Sequence, residues 1–73
     1  NKQIISEVIK RQYTIMMDEE KSMKVLLNAE TNLAPKDQLT GLYGRIEQHL
    51  GIISHAQNKI MLLQEMADQN DEG

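Results

Sequence analysis

The second half of the chain carries a regular pattern of apolar residues. The repeat is seven residues long, with apolar side chains at its first and fourth positions, as is typical of helices that pack against one another. It predicts a helix over about residues 35–67. The first positions are Leu39, Ile46, Ile53, Ile60 and Ala67, the fourth positions are Leu42, His49, Ala56 and Leu63, and Tyr43 and Leu50 widen the stripe.

The first half of the chain has the same spacing and predicts a helix over about residues 3–30. Its apolar stripe is also broad. A strict two-stranded coil needs two positions per heptad, so the extra width favours the packing of three or four helices. The stripe comprises Ile5, Gln12, Glu19 and Leu26, then Val8, Ile15, Ser22 and Ala29 three places later, with Ile9, Met16 and Met23 beside them.

One cluster of helix-breaking residues, Thr-Asn-Leu-Ala-Pro at positions 31–35, separates the two halves and predicts a turn over about residues 31–36. Pro35 suits the start of a helix, where its missing N–H costs nothing, and Asp37 adds negative charge to the first turn. We expect Asn32 to close the first helix in a left-handed conformation. Residues 68–73 have no apolar side chain and are expected to fray.

These features predict a single all-α module over residues 1–73, an antiparallel, coiled-coil-like helical hairpin. It would complete a three- or four-helix bundle by self-association or with partner helices. The predicted core and interface residues are Ile5, Ile9, Met16, Met23, Leu26, Leu39, Leu42, Ile46, Leu50, Ile53, Ile60 and Leu63.

Polar residues interrupt both stripes, and they match across the hairpin. If the turn is centred near Leu33, antiparallel neighbours have residue numbers that sum to about 68. Glu19 then lies opposite His49, and Gln12 lies near Gln57. One hypothesis is that these polar layers set the helix register at some cost in stability. The alternative is that the four side chains lie at the edge of the stripe and are solvated.

Composition narrows the possible functions. The chain has 73 residues with no Cys, Phe or Trp, so disulfides and zinc fingers are excluded and the apolar core is small. A net charge of −3 argues against nucleic acid, and the apolar runs are too short to span a bilayer. We therefore expect an intracellular, soluble protein whose partners are itself or other helical proteins, with no membrane, small-molecule substrate or cofactor.

No catalytic set can be assembled from the sequence. His49 and His55 lie six residues apart, about 240° around a helix, so they cannot bind one metal from the same face. The acidic run Asp18-Glu19-Glu20 is typical of a solvated surface. The sequence therefore predicts a non-enzymatic interaction or oligomerisation module, a scaffold segment of a larger assembly. The alternative is a small regulatory or phosphorelay-type signalling protein in which an exposed His55 or the Met-rich face contacts an enzyme or transcription factor.

Three glycines, Gly41, Gly44 and Gly51, lie inside the second predicted helix, where each costs about 1 kcal/mol relative to Ala. Gly44 and Gly51 share the heptad position opposite the apolar stripe. They either allow another backbone to approach closely, creating a second packing surface, or are tolerated on a solvated face.

Residues 10–46 contain Tyr13-x-Ile15, Asp18-Glu19-Glu20, Leu26, Leu33 with Pro35 close behind it, and Leu39-x-Gly41. In these residues, which span about half the chain, the sequence resembles the coiled-coil region of the channel nucleoporins, the FG-repeat proteins of the nuclear pore. The resemblance implies a non-catalytic scaffold at the nuclear pore that pairs with other coiled-coil nucleoporins through its apolar stripe.

Overall fold

The computed structural model describes residues 1–72, with side chains described up to residue 69, and this part of the chain is a hairpin of two helices. Helix α1 is Lys2–Leu27 and helix α2 is Lys36–Glu72. They pack side by side in an elongated body of 60 × 15 × 12 Å. The predicted all-α helical hairpin is confirmed, and no strand is present within residues 1–72.

Asn1 caps the N-terminus of α1. Its side-chain Oδ1 accepts hydrogen bonds from the backbone N–H groups of Gln3 (2.8 Å) and Ile4 (3.4 Å), and its carbonyl accepts from Ile5 (3.2 Å). These bonds satisfy N–H groups that have no partner within the helix, which is why Asn is favoured at this position.

Asn28 ends α1, and the helix stops at Leu27 rather than near residue 30. The Lys24 carbonyl accepts both the backbone N–H of Asn28 (3.2 Å) and its side-chain amide (3.0 Å). The expectation that Asn32 closes the helix in a left-handed conformation is wrong, because no non-glycine residue within residues 1–72 has a positive φ. Asn28 reaches the free carbonyl with φ −96° and ψ 8°, so no left-handed residue is needed.

The turn leads directly into α2. The N–H of Ala34 donates to the carbonyl of Thr31 at 3.1 Å, and the carbonyl of Pro35 accepts from Gln38 (3.0 Å) and Leu39 (3.1 Å). Pro35 therefore lies immediately before the first helical residue, where its missing N–H leaves no hydrogen bond unmade.

Helix α2 continues to Glu72, beyond the end predicted near residue 67. The segment 68–72 contains no Gly or Pro, so nothing in it breaks the helix. Gly73, the last residue of the predicted frayed tail, lies outside the described residues.

The core is thin. Within the described part of the chain, the buried hydrophobic side chains are Ile53, Ala56 and Ile60, which are 8%, 2% and 5% exposed. Each helix can bury only the one stripe that faces its neighbour, so most other apolar seam residues are half-buried. On α2 these are Leu39, Leu42, Ile46, Leu63 and Ala67, and on α1 they are Ile5, Val8, Ile9, Met16, Met23 and Leu26.

The seam of α1 uses only part of its predicted stripe. It runs from Ile5 to Leu26 in alternating steps of four and three residues, through Ile9, Gln12, Met16, Glu19 and Met23. The neighbouring row, Val8, Ile15, Ser22 and Ala29, was predicted to share the stripe, but only Val8 is half-buried and the other three residues are exposed. Alternating steps keep side chains on one line along a helix, and the excluded row lies beside that line.

Candidate interaction surfaces

The residues predicted as core or interface lie mostly between the two helices. In α1 all five are half-buried, and in α2 Leu39, Leu42, Ile46 and Leu63 are half-buried while Ile53 and Ile60 are buried. Leu50 is the exception, with 49% of its surface exposed. The seam is therefore largely used within the hairpin itself, and any further interface has to come from the sides of the hairpin.

Glu19 and His49 meet across the seam. The Nδ1 atom of His49 contacts Oε2 of Glu19, and the two side chains are only about a quarter exposed. Since a carboxylate oxygen can only accept, the ring N–H of His49 donates this bond. Glu19 thus lies in the helix interface, whereas its neighbour Asp18 is exposed. Of the three residues expected to form a solvated acidic face, Asp18 is the exposed one, since Glu19 contacts His49 and Glu20 is half-buried.

The expected layer of Gln12 and Gln57 does not form. Gln57 is exposed, and the Oε1 atom of half-buried Gln12 is buried without a hydrogen-bond partner. The reason is the position of Ala56, which fills the seam at this level and is 2% exposed. Gln57, one residue further, is turned about 100° away from the seam.

Pairing of the helices leaves two lateral faces, and we name the first of them face A. Two grooves of about 220 and 300 Å³ lie on it and share Lys59. Sequence reasoning assigned Ile15 to the seam, yet it lines the first of these grooves. The residues that define face A are Ile4, Val8, Ile15, Ile52, Lys59, Leu62 and Met66.

The opposite lateral face, face B, has a groove of about 360 Å³, lined by residues that include Tyr13 and Met61. Residues seven apart lie in one row along a helix, so the rows that line this groove continue toward the turn. The heptad pattern already placed Tyr43 and Leu50 in a widened stripe, whereas Tyr13, Met17, Leu27 and Met61 were not recognised, although they recur beside the seam. Face B is defined by Tyr13, Met17, Leu27, Tyr43, Leu50 and Met61, all of them exposed.

The glycines of α2 lie on the outer side of the hairpin. Gly41, Gly44 and Gly51 are exposed, and a Cβ atom added at any of them would meet nothing within 4 Å. No contact within the hairpin therefore requires glycine at these positions.

The two histidines have different surroundings. His49 contacts Glu19, whereas His55 is exposed and lines the 220 Å³ groove of face A beside Lys59 and Gln12. The described residues contain no group of three or more His, Cys, Asp or Glu side chains that could hold a metal ion.

Comparison with protein-family models, curated proteins and solved structures found no match to the chain. In the described part of the chain, neither helix combines the length and the apolar character needed to cross a membrane. What indicates the function of the hairpin is therefore the distribution of apolar and charged side chains over its surface.

Proposed function

We propose that this chain is a non-enzymatic protein–protein interaction or oligomerisation module. The hairpin would complete a three- or four-helix bundle, with itself or with partner helices, as a scaffold segment of a larger assembly. The observation that carries the proposal is the imbalance between its thin core, centred on Ile53, Ala56 and Ile60, and the large apolar side chains exposed on both lateral faces.

The arrangement of these exposed side chains supports the proposal more than their presence does. Single exposed apolar residues are ordinary on protein surfaces. Here they recur along the same sides of the two helices, and clusters of exposed apolar side chains are typical of interaction surfaces. Complete burial of a fully exposed Leu, Ile or Met side chain contributes about 1.5–3 kcal/mol. The side chains of the lateral faces are about half exposed in the hairpin, so association that covers one face would gain roughly half of this for each of them.

Sedimentation equilibrium and circular dichroism over one dilution series test the proposal. We expect a mass above that of the monomer at high concentration, and helicity that falls as the assembly dissociates, because an assembly stabilised by association loses structure on dilution. Leu33→Ser is a suitable control, since this turn residue is 98% exposed and should leave both curves unchanged. A chain that stays fully helical at monomeric mass throughout would contradict self-association.

The resemblance of residues 10–46 to the channel nucleoporins names one class of partner within this proposal. Titration of the chain with the coiled-coil segment of a channel nucleoporin would test it. A mixed complex of defined stoichiometry would support a role at the nuclear pore, and separate sedimentation of the two proteins would contradict that role.

One observation favours a second candidate function. His55 is exposed beside Lys59 in a groove, where an ammonium group could neutralise a phosphoryl group on the imidazole. We propose phosphorelay-type regulation as the alternative. Incubation with acetyl phosphate should then add an acid-labile phosphoryl group to the chain but not to the His55→Ala variant. Absence of labelling would contradict the alternative.

A further inference from the structure

We infer that face A binds an acidic amphipathic helix of a partner protein, and that this helix lies between α1 and α2 to complete a three-helix bundle. The binding region is the half of face A that contains its two grooves. This inference rests on the proposed function and specifies the chemistry of the partner and the surface that the partner covers.

The two grooves match the spacing of apolar side chains on a helix. On α2 the first groove is lined from Ile52 to Lys59 and the second from Lys59 to Met66, so their centres lie about seven residues, or about 10 Å, apart along the helix. Apolar side chains one heptad apart on a partner helix have the same separation. Two such side chains would fill the two grooves, as amphipathic helices do when they bind in apolar grooves.

Two cations flank the boundary between these grooves. Lys59 lines both grooves from α2. Arg11 lies on α1, seven residues after Ile4 and therefore in the same row of face A. The residue numbers of Arg11 and Lys59 sum to 70, close to the 68 of the Glu19–His49 contact, so the two cations lie at nearly the same level on the two helices.

No carboxylate neutralises these two cations in the described part of the chain. Arg11 and Lys59 are exposed, and neither forms an ion pair there. Glu7, one turn before Arg11, pairs with Lys10 instead, at 3.3 Å. The linings of the two grooves contain no Asp or Glu, and the nearest acid in the row of Arg11 is Asp18, about two turns away. This half of face A is therefore apolar and positively charged.

Charge complementarity selects an acidic partner for this surface. A helix with Glu or Asp beside its apolar stripe would place carboxylates near Arg11 and Lys59, whereas a basic helix would bring like charges together. A second copy of the chain that docked through the same surface would bring its own Arg11 and Lys59 into the interface. The cations therefore disfavour a symmetric dimer through face A.

The charge of the rest of the chain disfavours an anionic membrane as the occupant. When Arg11 and Lys59 are set aside, six of the eight Lys or Arg remain against eleven Asp or Glu, a net charge of −5. Anionic lipids would repel this charge, whereas a partner helix contacts the grooves alone. Both grooves are lined by residues of α1 and α2, so they admit side chains of a helix that lies between the two.

Two labelled model helices with the same heptad stripe of Leu test the chemistry of the partner. One has Glu beside the stripe and the other has Lys. Each is titrated with the unchanged chain by fluorescence anisotropy at about 0.15 M salt, where charges more than about 8 Å apart are largely screened. We expect the acidic helix to bind about tenfold more tightly than the basic helix, because attractive pairs replace repulsive ones. Equal affinities, tighter binding of the basic helix, or no binding of either would overturn the inference.

Charge reversal in the chain tests the two cations. The double variant Arg11→Glu, Lys59→Glu should reverse the preference, so that the basic helix binds about tenfold more tightly than the acidic one. The matched control is Lys21→Glu, Lys24→Glu, which makes the same change in net charge at exposed positions away from the grooves of face A. It should keep the preference for the acidic helix. Reversal in both double variants would show that net charge alone decides, and the role of Arg11 and Lys59 would be wrong.

Two neighbouring residues of α2 test which face is covered. Leu62 lies on face A and Met61 on face B, and they are 55% and 58% exposed. Leu62→Ser should weaken binding of the acidic helix about fivefold, because less apolar surface is buried in the complex. Met61→Ser should leave the affinity unchanged. A larger loss in Met61→Ser would place the helix on face B and contradict the inference.

The outcomes separate this inference from the proposed function. If both model helices bind equally, or bind through face B, the acidic partner of face A is wrong while the proposed interaction module stands. If the chain binds neither helix and also remains monomeric at every concentration, the proposed function is contradicted as well. Binding to vesicles of phosphatidylserine and phosphatidylcholine, but not to the acidic helix, would identify a membrane as the occupant and overturn the inference.

Discussion

Glu19 and His49 are thirty residues apart in the chain, and their side chains meet at the interface of α1 and α2. Both are only about a quarter exposed, so either one would be left with a poorly solvated polar group if its partner were removed. The axial alignment of the two helices is therefore tied to this one contact between Glu19 and His49.

The Glu19–His49 contact should contribute more to register than to stability. We predict that Glu19→Leu or His49→Leu alone lowers the free energy of unfolding by about 1–3 kcal/mol, because the remaining polar partner loses its hydrogen bond. The double variant should regain this stability but populate more than one assembly state. Urea unfolding and light scattering after size exclusion measure the two effects. A double variant that keeps one assembly state would exclude a register role.

Gln12 should be a weak point of the seam. Its Oε1 atom is buried and has no hydrogen-bond partner, which costs about 1–3 kcal/mol. Gln12→Leu is therefore predicted to raise the free energy of unfolding by about 1 kcal/mol or more in urea. Gln48→Leu, at an exposed position of α2 that lines none of the grooves on the two lateral faces, serves as the control and should have little effect. Lower stability in Gln12→Leu would indicate that the amide is needed where it lies.

Gly44→Ala and Gly51→Ala should both stabilise the protein. An added Cβ meets nothing within 4 Å at either position, and Ala exceeds Gly in helix propensity by about 1 kcal/mol. The thermal midpoint should rise while the assembly mass measured by sedimentation stays the same. A loss of assembly mass would instead support the idea that these glycines form a second packing surface.

Neighbouring isoleucines of α2 should differ sharply in their contribution to stability. Ile53 is 8% exposed and Ile52 is 42% exposed, since they lie on different sides of the helix. Truncation of a buried Ile to Ala costs about 2–5 kcal/mol, so we predict that Ile53→Ala strongly reduces helicity and the thermal midpoint. Ile52→Ala, on face A, should cause a much smaller change. Equal losses in the two variants would show that face A is also buried in solution.

The buried face of α2 could be predicted because its heptad pattern fits only one apolar stripe along the helix. The first and fourth heptad positions, from Leu39 to Ala67, are the positions that the fold buries or half-buries. The pattern in α1 is less definite, since three adjacent rows are largely apolar and helix periodicity alone does not rank them. Packing against α2 selects the row of Ile9, Met16 and Met23 and leaves Ile15, in the neighbouring row, exposed.

The end of α1 was likewise only partly predictable from the sequence. Asn28 and Asn32 are both residues that commonly end helices, and the sequence offers no reason to prefer one. The first is used because its side-chain amide reaches the Lys24 carbonyl while the chain keeps a right-handed backbone.

The sequence by itself determined that the chain forms two amphipathic helices joined by a short turn, because side-chain periodicity and turn residues act locally. Only the tertiary structure decided that Glu19 meets His49, that Gln12 remains without a partner, and that apolar rows lie open on two lateral faces. These features depend on the rotation and axial alignment of one helix against the other, which are set by packing over the whole interface and not by any local segment.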